Sequence, residues 1–136
     1  MDMFAFRLKP GQDLRNELES FALSNNVPAG VIITCVGSLK IAVLRLADGK
    51  SIKYFNGPLE IVSLVGTISD KGAHLHMSIS DSLGNVFGGH VKEGCIGNDR
   101  DCIGKTPVDH HGGKEHGGLC QGAAGGDAEL LACTAP

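Results

Sequence analysis

At 136 residues the chain holds one domain of ordinary size, and 42% apolar with 20% charged residues is a globular balance. With no Trp, one Tyr and five Phe, its core is expected to be built from Val, Ile and Leu. The net charge of −3 comes from residues 95–136, because residues 1–94 carry nine Lys/Arg against nine Asp/Glu. That neutrality excludes strong phosphate-driven nucleic-acid binding by a single copy, which needs clustered cations. No apolar run nears the roughly 20 residues of a membrane helix. Met1-Asp2-Met3-Phe4 also lacks the order of a signal peptide, so the expected location is intracellular, with no membrane partner. Five cysteines without a C-x-x-C pair argue against a disulfide framework or a zinc module, and Cys35 reads as a small buried residue in a strand.

In chain order, residues 3–9 alternate as a strand and Pro10-Gly11 breaks it. Leu14, Leu18, Phe21 and Ala22 then form one apolar stripe at helical spacing, with Gln12 or Asp13 as the opening cap and Asn25-Asn26 at the close. The β-branched run Val31 to Val36 reads as a strand buried on both faces. Residues 39–45 give the next strand, leading to a turn at Asp48-Gly49, and residues 51–55 return. Asn56-Gly57-Pro58 is read as a break before a strand over 59–68. After the turn at 69–72, strands follow near 73–80 and 85–92. The expected class is α+β, with one helix on a mostly antiparallel sheet of about six or seven strands. Residues 95–136 hold little periodicity beyond a short patch at 128–131, so this Gly-rich tail is expected to be disordered or poorly packed, and residues 96–100 read as no strand.

His74 and His76 lie one residue apart in a strand and therefore share a face. A three-residue loop, Ser82-Leu83-Gly84, would place glycine at the position that requires a left-handed backbone. That register pairs Asp81 with Asn85 and sets His76 opposite His90, with His74 on the diagonal. The two-residue alternative, or a bulge at Gly88-Gly89, would send His90 to the other face. Three converging imidazoles are the usual open first shell for zinc, which makes His74, His76 and His90 the candidate metal ligands. Neither a cupin barrel, lacking its Glu soon after H-x-H, nor a long β/α barrel fits the pattern. In the tail, His110, His111 and His116 with Cys102 and Cys120 match no closed zinc module.

The run from Gly57 to Ser69, followed by His74-Leu75-His76 and Gly88-Gly89-His90, resembles the plants-and-prokaryotes-conserved (PPC) domain. Gly37-Ser38-Leu39, the strand Ala42 to Leu46 and Pro28-Ala29-Gly30 match as well, so the resemblance covers residues 3–94. It implies an α+β domain over 1–94 that assembles as a homotrimer, with the histidines as a zinc site near the subunit contacts and a DNA-binding regulatory role. The plant AT-hook is missing. The plant partner-binding segment resembles Gly57 to Val62, including Gly57 and Glu60, with Pro58 and Leu59 replacing its basic and aromatic residues. The match stops at Cys95, so the closing strand is expected to be absent and the sheet to end in an exposed edge. Two functional alternatives accompany the binding module. One is a zinc-dependent hydrolase or lyase with Glu60 as general base and Glu93 or Asp81 near the hairpin; the other is a metal that only staples the sheet or trimer.

Overall fold

The computed structural model describes residues 2–98 and 129–134. In chain order they form β1 (Asp2–Arg7), α1 (Leu14–Ser24), β2 (Gly30–Val36), β3 (Ser38–Arg45), β4 (Ile52–Ser69), β5 (Gly72–Ser80), β6 (Val86–Val91), β7 (Ile96–Gly97) and β8 (Glu129–Thr134). All strand pairs are antiparallel, in the order β1-β8-β2-β4-β5-β6-β3-β7. Because β3 pairs with β4 as well as β6, strands β3 to β6 close on themselves like a small barrel. Among the described residues the α+β class with one helix stands as expected, but the sheet has eight strands.

The helix starts where Asp13, in extended conformation, accepts the Asn16 amide at 3.0 Å. The other Asp13 oxygen accepts the Gly94 amide, and the Leu14 amide donates to the Cys95 carbonyl at 2.8 Å. This ties the first helical turn to the segment leaving β6. Leu14, Leu18 and Ala22 are fully buried and meet Leu64, Ile68 and Leu75 in one core. The core is aliphatic, as the composition requires.

Four expectations need correction. The segments 51–55 and 59–68 are one long strand, β4, because Gly57 takes φ +125° and forms a bulge against β3 between Leu39 and Ile41. A bulge absorbs Pro58 without ending the pairing. Strand β2 is buried on one face only: Val31, Ile33 and Val36 are about half exposed on the other. Continuous β-branched character thus reports an apolar outer face as well as a core face. Residues Ile96 and Gly97 pair with Ile41 and Leu39, so they do form a two-residue strand. The sheet, finally, does not stop at β2, since β8 lies between β1 and β2 in register with both. Among the described residues, that short C-terminal run supplies the missing neighbour. The expectation for the intervening tail, including its histidines, falls on residues 99–128, outside the described residues.

Candidate metal centre

Strand β5 alternates strictly: Leu75, Met77 and Ile79 face the core, whereas His74 and His76 are exposed on the outer face. The β5–β6 loop has the three-residue form. The Asp81 amide donates to the Asn85 carbonyl at 3.0 Å, and Gly84 takes φ +82°. Asp81 secures the loop by accepting from the Leu83 and Asn85 amides at 2.9 Å and from Asn85 Nδ2 at 3.0 Å. These bonds hold its carboxyl below the usual range, the Asn85 side chain contributing most. Five pairs in unbroken register follow, ending at His76 opposite His90. No bulge intervenes at Gly88-Gly89.

The three rings therefore converge. Centroids lie 5.2 Å apart for His74 and His76, 5.1 Å for His74 and His90, and 5.4 Å for His76 and His90. One ligand nitrogen from each falls within 4.8 Å of the others. The Nε2 atoms of His74 and His76 are 3.2 Å apart. A tetrahedral zinc with bonds of 2.0–2.1 Å needs an edge of about 3.3 Å between nitrogens. The donor set fits the ion. His90 adds a second sign, because its Nδ1 is buried with no hydrogen-bond partner. Burial first, then the positive charge of Arg45, His74, His76 and Arg15, lowers the His90 pKa from its ordinary value. A neutral imidazole is the form that binds metal.

The acids do not join this group. Glu60 pairs with Ser80, four residues along β5 from His76, or about 13 Å away. Its carboxylate instead accepts Ser38 Oγ at 3.0 Å. Glu60 is therefore removed as a general base for this site within the chain, and Asp81 is committed to its loop. Glu93 is exposed in the turn after β6. Gly57 belongs to the β4 bulge, well away from the histidines. A residue of the site that sequence reasoning passed over is Arg45. It pairs directly with His90 through β3–β6, a contact between segments some 45 positions apart that no local pattern signals.

The sequence profile of the Plants and Prokaryotes Conserved (PCC) domain matches residues 1–99. The chain belongs to this family. It is 43% identical over 94 residues to the bifunctional protein GlmU of Synechococcus sp. (strain JA-3-3Ab), a match that covers 69% of this chain. The chain spans only 15% of that relative's length. Among solved structures, a hypothetical protein from Salmonella cholerae-suis is 29% identical with a TM-score of 0.74, covering 96% of this chain and 75% of that one. A metal-containing protein from Archaeoglobus fulgidus is 23% identical with a TM-score of 0.67, covering 98% and 79%. A candidate DNA-binding protein from Bacteroides thetaiotaomicron is 18% identical with a TM-score of 0.69, covering 97% and 77%. The three solved structures share the fold of this chain. Among the described residues, no helix is long and apolar enough to cross a membrane.

Proposed function

We propose that this PCC chain is an intracellular metal-binding module that holds zinc on His74, His76 and His90, assembles as a homotrimer and serves a regulatory role in association with DNA. The observation that carries the reading is the convergence of three imidazoles within 4.8 Å on an open sheet face. Zinc bound there would supply a divalent, Lewis-acidic centre that joins strands β5 and β6. His74, His76 and His90 would each contribute one neutral nitrogen, and the loop fixed by Gly84 and Asp81 holds β6 in the register this requires.

Assembly is supported by the apolar outer face. Val31, Ile33, Val36, Val62 and Val65 are each about half exposed, and Val65 pairs directly with His76. A patch of this kind on a single chain marks an interaction surface. DNA association is supported by the name given to the Bacteroides neighbour, but residues 1–94 are neutral, so contact with phosphates would depend on gathering several copies. The hydrolase alternative loses its first-named base, with Glu60 about 13 Å along the sheet. The test is metal content with oligomer mass, on the wild type and on His74→Ala/His76→Ala. About one zinc per chain in a trimer, lost from the double variant, supports the reading; a metal-free monomer after zinc loading overturns it. A salt-dependent shift of duplex DNA by the trimer would extend it to DNA.

A further inference from the structure

Resting on the zinc reading above, we propose that the fourth ligand of the metal is a small oxyanion from solution, held between the metal and the guanidinium of Arg45. Three neutral nitrogens leave a divalent ion with its full charge and one position open. Among the described residues, no Asp or Glu joins the histidine group. The fixed charges beside β6 at His90 are positive, Arg45 pairing with His90 and Arg15 bonding the Val91 carbonyl.

Two of them differ in availability. Arg15 is already engaged, with Nη1 on the Val91 carbonyl at 3.0 Å and Nη2 on Glu19 at 2.8 Å. Arg45 stands directly opposite His90 on the same sheet face, where paired Cβ atoms lie about 4.5–5.5 Å apart. Its Nη1 donates to the Gly49 carbonyl at 3.3 Å, and a guanidinium has five N–H donors. Asp48, the acid near Arg45, already accepts the Lys50 amide, the Ser51 amide and Ser51 Oγ. Arg45 is half-buried in β3, and Asp48, whose carboxylate feels its charge, directs both oxygens at Lys50 and Ser51 instead. A divalent cation on one side and a planar fork of donors on the other select a group with two or more anionic oxygens. Carboxylate and phosphate share that chemistry.

The experiment uses the full chain loaded with cobalt(II), whose visible bands report the geometry at the metal. Acetate and inorganic phosphate are titrated separately at constant ionic strength into the wild type, Arg45→Gln, Arg45→Lys and His74→Ala/His76→Ala. At least one anion is expected to shift the wild-type bands saturably. Arg45→Gln should bind that anion about tenfold more weakly with cobalt affinity unchanged, and Arg45→Lys should fall between. Which anion responds identifies the source. Cobalt bands with no anion response, or an equal response in Arg45→Gln, overturn this inference and leave the metal site standing. No cobalt bands in the wild type overturn both.

Discussion

Replacing Gly89 by alanine places a methyl group where strand β3 already stands. The added Cβ would lie 2.7 Å from the Arg45 carbonyl oxygen and 3.1 Å from Leu44 Cβ. The first of these is backbone, so relief requires β6 to move away from β3, next to His90 itself. Crowding of this kind costs about 1–3 kcal/mol, partly offset by the gain of about 0.4–1 kcal/mol from stiffening the unfolded chain. A net loss of about 1–2 kcal/mol should lower Tm by about 4–10 °C in a domain this size. The neighbouring Gly88 is the control. Its added Cβ would meet the Met77 carbonyl and Ser78 Oγ at 3.4 Å, ordinary contact, so Gly88→Ala should be neutral or slightly stabilising. Thermal unfolding followed by circular dichroism, with and without zinc, reads both effects. Gly89→Ala should also lose much of the zinc-induced rise in Tm, because the displaced strand carries a ligand. Equal melting of the two variants would refute the β3–β6 contact on which the position of His90 depends.

Asp13→Ala removes the helix cap and the tie to Gly94 together, and should cost about 2 kcal/mol in urea unfolding; a loss below about 0.5 kcal/mol would count against the tie. Burial pushes the Cys35 thiol up to about 12 and the Cys95 thiol up to about 11, so both should resist alkylation at pH 8 in the native chain and react in urea, as peptide mass mapping would show. The His90 pKa is lowered in the fold, so the unfolded chain takes up its proton first on acidification. Metal-free protein should therefore keep this contribution above the ordinary histidine pKa near 6.5 and lose it as the pH falls through the folded value. Urea midpoints from pH 8 to 5 should show the loss in the wild type and a smaller one in His90→Gln.

The histidine site was legible because its determinants are local. H-x-H in a strand fixes a shared face, and Gly84 is the one loop residue free to take φ +82°, which sets the register for His90. The helix was legible for the same reason, its stripe and its Asp13 cap lying within a dozen residues. What escaped depends on long-range partners. Strand β8 owes its place to β1 and β2, near the opposite end of the chain, and its six residues hold no period strong enough to announce a strand. Asn56-Gly57-Pro58 has the composition of a turn, yet continued pairing of β4 with β3 makes it a bulge. Strand β2 is apolar on both faces, with Ile32 and Cys35 inward and Val31, Ile33 and Val36 outward, so sequence could not show that one face is open. Arg45 joined the site only through the β3–β6 pairing.

Zinc K-edge X-ray absorption on the zinc-loaded full chain tests the central claim most directly. Convergence of His74, His76 and His90 predicts three imidazole nitrogens at about 2.0–2.1 Å, with the multiple-scattering pattern of the ring, plus one oxygen ligand. His90→Gln should reduce the imidazole count to two. A shell dominated by sulfur, or one whose imidazole count is the same in His90→Gln as in the wild type, would contradict the site described.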